Sequence, residues 1–277
     1  MALISFYVIK IDLPKIHFLF LPAMGFLDIK HSEHFDIDDP RRTLQHRNII
    51  LSKPFLKKLY EEWYGFFKKE ASSLPPGILL ELGSGGGFLK SVLPQIITSD
   101  VLELPGLVDQ VCYAQSLPFE AESISGIIMT DVFHHIPDSA AFLKEAQRVL
   151  KPGGRIMMSE PANTIWGKFI YQNFHHEPFN PEGDWFIPPA GPMSGSNQAL
   201  PYIVFERDRT RFEQEFPNLK IKSIKYHTPV RYLLSGGVSK KQLVPDFSFG
   251  FFKVLEQGML LLSKHFAMFE TIVIEKE

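Results

Sequence analysis

The sequence predicts an α/β fold wound around a mostly parallel sheet. Three observations carry this. From residue 78 onward, short apolar runs alternate with stretches of helical periodicity. A glycine loop, Gly83-Ser84-Gly85-Gly86-Gly87, follows the first of these runs directly. Three of the runs end at an acid, Glu81, Asp100 and Asp131. Alternating strands and helices bury a parallel sheet on both faces. Ligands of such sheets bind beyond the carboxyl ends of the strands.

The elements follow in order. Asp38-Asp39-Pro40 is a helix start, with acids ahead of a proline at the first helical position. Apolar residues from Leu44 to Phe67 recur at mostly helical spacing, and Pro54 divides them into two helices. Pro75-Pro76-Gly77 links to the sheet. Strands are expected at Ile78–Leu82, Gln95–Ser99, Leu107–Ala114, Ile124–Thr130 and Arg155–Ser159, with helices at Phe88–Leu93 and Asp138–Leu150. Between Asp100 and Val111 a full crossover helix does not fit, so a loop or one turn is expected there. Past Pro161 the chain turns irregular and aromatic. A helix at Arg207–Glu215 and strands at Lys220–Tyr226 and Phe269–Lys276 are set among two insertions, about 162–205 and 231–268. The second insertion carries a helix expected to be buried, Phe251–Lys264. The division is therefore 1–74 as N-terminal helices, 75–161 as the ligand-binding core, and 162–277 as the rest of the sheet with its insertions.

Composition narrows the function. The chain has 277 residues, a net charge of −2 and one cysteine, Cys112. The charge gives no footprint for nucleic acid. One cysteine excludes an internal disulfide framework and a thiolate cage. Met1 to Leu27 is apolar, but Lys10, Asp12, Pro14 and Lys15 break it below the length of a membrane span. A cytoplasmic protein is expected, with membrane contact at most peripheral, near Gly258–Leu262.

The loop chemistry narrows it further. Glycines at 83, 85 and 87 allow a sharp turn and close backbone approach. A helix opening near Phe88 would aim free N–H groups at an anion. Glu81 would face a cationic group. The dinucleotide spacing G-x-G-x-x-G fails at Phe88, and the Gly-Lys-Ser/Thr ending of a P-loop is missing.

Together with Asp100, Ala114-Gln115-Ser-Leu-Pro-Phe119, Asp131-Val-Phe-His-His-Ile-Pro137 and Glu145-Ala-Gln-Arg-Val-Leu-Lys-Pro-Gly-Gly154, the loop resembles the class I S-adenosylmethionine-dependent methyltransferases, in particular the type 11 methyltransferase domain. The resemblance covers roughly Ile78 to Pro161. It implies a Rossmann-like sheet with an antiparallel last strand, and S-adenosyl-L-methionine as cofactor. It also implies roles. Glu81 would engage the ligand's amino-acid end, with Gly83, Ser84, Gly85 and Gly87 beside it. Asp100, rather than its rival Glu103, would take the ribose hydroxyls. Leu102 and Leu117 would sandwich adenine, near Ala114 and Gln115. Asp131 would stand where methionine and acceptor meet. Tyr113 occupies the place where the family often has an Asp that binds the adenine amino group, and tyrosine is a poorer acceptor.

For methyl transfer to a hydroxyl, a base is needed, and His135, then His134, are the candidates. His175-His176-Glu177 is a second place to look. No metal site is expected, because adjacent histidines do not readily face one ion and no third ligand spacing accompanies them. Aromatic residues of the insertions, Trp166, Phe169, Tyr171, Phe174, Trp185, Phe186, Phe247, Phe249, Phe251 and Phe252, are candidates to line a pocket for a sugar, quinone, phenol or lipid-linked acceptor. The expected function is O- or C-methylation of a small molecule. Two rivals are a protein of the same fold that binds the cofactor without turnover, motivated by Tyr113, and an NAD-dependent enzyme.

Overall fold

A computed structural model describes residues 29, 35–188, 190–191 and 193–277; the apolar stretch Met1 to Leu27 lies outside them. Two helices open the described chain. Helix α1 spans Pro40–Ser52, with Asp39 as its N-cap, whose carboxylate accepts from Arg41 N at 2.8 Å. Helix α2 spans Pro54–Ala71. Lys53 between them is extended, as a residue before proline must be.

The sheet strands are β1 (Ile78–Glu81), β2 (Ile97–Asp100), β3 (Gln110–Val111), β4 (Ile124–Thr130), β5 (Leu150–Pro161), β6 (Leu219–His227) and β7 (Phe269–Lys276). Helix α3 is Ser139–Val149, α4 Ile165–Phe174, α5 Arg209–Glu215, α6 Arg231–Ser235 and α7 Phe249–Leu262. The sheet order is β3-β2-β1-β4-β5-β7-β6. Pairs among β1 to β5 are parallel, and β7 runs antiparallel to both β5 and β6. This is the α/β, Rossmann-like arrangement expected, with its antiparallel last strand.

Burial explains the sequence pattern. Strand β4 is buried on both faces, so Ile127, Ile128 and Met129 follow one another without polar alternation. Helix α2 lies on one face with Phe55, Leu56, Leu59 and Phe67 fully buried, each stabilising by about 1.5–3 kcal/mol. Its Trp63 reaches Phe269 of β7 and its Tyr64 meets Phe88 after the glycine loop, with ring centroids 5.0 and 4.9 Å apart.

Several local expectations are corrected. The helix expected at Phe88–Leu93 is one 3₁₀ turn, Leu89–Ser91, because Pro94 leaves no room to propagate it. Strand β3 has two residues rather than the eight of Leu107–Ala114. Asp109 is drawn back to β2, its carboxylate accepting from Thr98 N at 2.9 Å and Thr98 Oγ1 at 3.0 Å. The segment 101–109 holds turns and no helix, as its length requires.

The N-terminal helices hold both insertions. The Asp38 carboxylate accepts from Met193 N, Ser194 N and Ser194 Oγ at 2.6, 3.0 and 2.7 Å. Lys53 Nζ donates to the carbonyls of Ser235, Gly237 and Lys240. No helix of the described residues is long and apolar enough to cross a membrane.

Candidate functional site

A cavity of about 470 Å³ opens at the carboxyl ends of β1, β2 and β4. The glycine loop forms one wall. Gly83 has φ +65°, and a Cβ there would lie 2.6 Å from Val132 Cγ2, so only glycine fits. Gly85 is also left-handed, with φ +47°, and donates its N–H to Asp100 Oδ2 at 2.9 Å. Ser84 N donates to Ser99 O and Gly87 N to Ser84 O, both at 2.8 Å. These amides are used inside the fold, and no regular helix follows them. The expected anion site at a helix N-terminus is therefore not formed.

Instead the cavity is anionic. Glu81, Asp100 and Asp131 all line it, and among the described residues no lysine or arginine does. Burial pushes the Glu81 carboxyl up to about 7; the Ser84 hydroxyl, donating at 2.8 Å, opposes this, and the charge of Asp100 adds to it. Burial also raises Asp100, against the hydrogen bonds from Leu102 N and Gly85 N. Burial carries Asp131 up to about 7, with His134 opposing. Its side chain is nonetheless 43% accessible, because it borders the cavity. Its φ of +62° is a strained value for a non-glycine residue, held by Asp131 N donating to Ser159 O at 2.8 Å. Carboxylates crowded into one cavity favour a cation there.

Ser84, Gly87, Tyr113, Ala114 and Gln115 line the same cavity. Leu102 does not; Val101 takes that place. The chain turns as Leu102 N bonds back to Asp100 Oδ1 at 2.9 Å, which leaves residue 101 facing inward. Leu117 is buried in the core rather than at the wall. Glu103 is exposed and off the cavity, so of the two rival acids the structure brings in Asp100.

The aromatic lining differs most from expectation. None of the ten aromatic candidates lines the cavity. Tyr171 and Trp185 fill the core, while Phe247 and Phe251 face solvent. Tyr60 and Tyr64 of α2 and Tyr232 of α6 supply the aromatic wall, with Ile187, Ala190 and Met193 of the first insertion beside them. The sequence reading did not name Tyr60 and Tyr64.

His134 and His135 form a single 3₁₀ turn with Phe133 after β4. His134 is 1% exposed, with Nδ1 2.7 Å from Glu160 Oε2 and Nε2 3.2 Å from Glu177 Oε2. Burial alone would lower its pKa, but the two carboxylates hold it well above the usual range. Held between two carboxylates and off the cavity, His134 is the weaker of the two base candidates; only His135 lines the cavity. His135 lines the cavity, and its Nδ1 lies 3.1 Å from Gly195 O. That carbonyl accepts, so Nδ1 carries the proton and Nε2 the lone pair. Burial and the neighbouring charge of His134 lower its pKa to about 4, so it is neutral at pH 7.

Glu160 is the residue that sequence reading missed; Glu177 was named there only beside His175 and His176, not with His134 and His135. Burial would raise Glu177, but the His134 hydrogen bond overrides it and holds the carboxylate far below its usual range. Glu177 also brings a third ligand to the histidine pair: one atom each of His134, His135 and Glu177 lie within 4.8 Å of one another. Sequence spacing does not announce this third group, because the three side chains meet only in the fold. A divalent ion could enter only by displacing the His134 Nε2 proton. Asp131, His134 and Glu160 form a second such group. The signal for Glu160 was its place at the end of β5, beside the strand that carries the histidines.

Comparisons with known proteins agree with the motifs. Residues 80–158 match the family model of a methyltransferase domain. Over 173 residues the chain is 27% identical to a demethylmenaquinone methyltransferase of Symbiobacterium thermophilum, covering 61% of this chain and 66% of that one. Over 129 residues it is 31% identical to a ubiquinone/menaquinone biosynthesis C-methyltransferase of Rickettsia rickettsii, covering 46% and 49%. The chain thus spans about half to two thirds of these curated relatives. A crystal structure of geranyl diphosphate C-methyltransferase from Streptomyces coelicolor aligns at a TM-score of 0.47 and 14% identity, covering 91% and 90% of the two chains.

Proposed function

We propose that this chain, whose residues 80–158 match a methyltransferase domain, is an S-adenosyl-L-methionine-dependent methyltransferase acting on a small-molecule acceptor. The observation that carries the reading is the anionic cavity. Three carboxylates, two of them pushed up to about 7, line a pocket with no lysine or arginine among the described residues. A ligand bearing an ammonium and a sulfonium relieves that crowding. A dinucleotide pyrophosphate aggravates it, which disfavours the NAD reading.

In this reading residues 75–161 hold the cofactor. Glu81 faces the ammonium, Asp100 the ribose hydroxyls, and Ala114 and Gln115 border the adenine. Gly83 and Gly85 let the backbone lie against the ligand. The cofactor supplies an electrophilic methyl on sulfur. The helices α1 and α2 and the insertions of 162–277 border it, with Tyr60, Tyr64, Tyr232 and Ile187 shaping an apolar acceptor pocket. A wall of aromatic and aliphatic side chains without cations suits a neutral ring such as a quinone or phenol, the acceptor class that the names of both relatives point to. His135, neutral, lining the cavity and with Nε2 3.7 Å from Glu177 Oε1, is the group that orients or deprotonates the acceptor. Aligning acceptor and methyl, and keeping water out, does most of the work.

Two outcomes test these assignments. Asp100→Ala is expected to weaken binding of S-adenosylmethionine by about 1.5–3 kcal/mol in calorimetry; an unchanged affinity removes Asp100 from the ribose. His135→Gln is expected to lower methyl consumption with a quinol acceptor by about 10²-fold, the scale of general base catalysis, while cofactor affinity stays. Full turnover in that variant removes His135 from the mechanism.

A further inference from the structure

Helix α7 carries its polar contacts inside and its apolar side chains outside. On the inner side Glu256 is buried; its carboxylate accepts from Val230 N and Arg231 N at 2.7 and 2.6 Å and pairs with the Arg231 guanidinium. On the outer side stand Phe251, Val254, Leu255, Leu261 and Leu262, with Phe251 68%, Leu261 89% and Leu262 83% exposed. Their spacing of three, four and seven residues places them on one stripe. The helix expected to be buried therefore turns an apolar face outward.

The stripe does not end with the helix. Both α7 and α4 pack on the turn Lys264–Phe266. Phe266 of the turn and Ile165, Phe169 and Phe174 of α4 are exposed as well. An outward apolar face spread over three neighbouring elements marks an interaction surface.

Charge indicates the occupant. From Phe249 to Ala267 the one acid is Glu256, which is buried and paired; the exposed charges are Lys253 and Lys264, with His265 beside them. The single charged residue of α4 is Lys168, also exposed. Lys253 Nζ donates to Glu62 at 2.7 Å, which anchors it at the edge of the stripe. An apolar stripe flanked by lysines and free of exposed acids is the pattern of a helix lying in the interface of an anionic bilayer. We propose that α7, the turn Lys264–Phe266 and α4 together dock this protein on an anionic phospholipid surface. Phe251, Val254, Leu255, Leu261 and Leu262 enter the headgroup boundary, and Lys264 and Lys168 meet lipid phosphates, Lys253 being held by Glu62.

The test needs neither cofactor nor acceptor, so its failure is separate from that of the proposed activity. The full chain is sedimented with vesicles of phosphatidylcholine containing about 30% phosphatidylglycerol, and with phosphatidylcholine alone. Expected are about tenfold stronger binding to the anionic vesicles, weakening in high salt, and a further loss of about tenfold in the double variant Leu261→Gln, Leu262→Gln. Both leucines are exposed, so the variant should keep the thermal midpoint of the parent. Lys264→Glu should weaken anionic binding alone. The proposal is overturned by no binding to anionic vesicles. Binding that the double variant leaves intact also overturns it, because another part of the chain then carries it. So does a dimer that the double variant dissolves, because a second copy then covers the face.

Discussion

Glu160→Ala is expected to lower the free energy of unfolding by about 3–5 kcal/mol, the cost of removing one partner from a buried ion pair. Glu160 is fully buried, and its carboxylate accepts from Val132 N, Phe133 N and His134 Nδ1 at 2.9, 2.8 and 2.7 Å. The variant leaves the amides of Val132 and Phe133 without that acceptor, and His134 with Glu177 and the more distant Asp131 as its remaining carboxylates. Urea titration of parent and variant measures the difference, and Glu160→Gln should recover part of it through its amide oxygen. A loss below about 1 kcal/mol would mean that His134 is neutral and the cluster only weakly coupled.

Glu81→Gln should separate stability from binding. The carboxyl is buried and raised to about 7, so as an anion it strains the empty fold. The glutamine keeps an acceptor for Ser84 Oγ without the charge. Its expected effect is an unfolding midpoint at pH 8 equal to or above that of the parent, with affinity for S-adenosylmethionine lower by about 2–5 kcal/mol. The pH dependence follows in sign. A carboxyl raised in the native state binds its proton more tightly when folded. Its contribution to stability is present below the unfolded value of 4.5 and lost as pH rises through about 7. Ligand affinity runs the other way, rising toward pH 7 by at most about tenfold per unit and then levelling, because the cation needs the ionised form. The glutamine variant should lose the part of this slope that Glu81 carries on both curves, leaving that of Asp131 and Asp100.

The carboxylate wall of the cavity was legible because its residues are close in sequence to the strands that position them. Glu81 and Asp100 end β1 and β2, and Asp131 follows β4, so strand periodicity and a change to glycine locate them. The helix start at Asp39-Pro40 and the break at Pro54 were legible because proline acts on its own backbone. The opposite wall and the cluster around His134 were not. Glu177 reaches His134 across 43 residues of irregular chain, and no local pattern encodes such a meeting. Aromatic content in the insertions was visible, but its direction was not: Tyr171 turns into the core while Phe251 turns to solvent. The reversal of α7 was hidden for a related reason. A helix apolar on most sides reads as buried, and only the fold shows that Arg231 draws the Glu256 side inward.

Calorimetric titration with S-adenosylmethionine and S-adenosylhomocysteine near pH 8, with NADH as control, tests the central claim most directly. The anionic cavity predicts saturable micromolar binding of the first, weaker binding of the second, which lacks the sulfonium charge, and none of NADH. Tight NADH binding, or no binding of either adenosyl ligand, would contradict it.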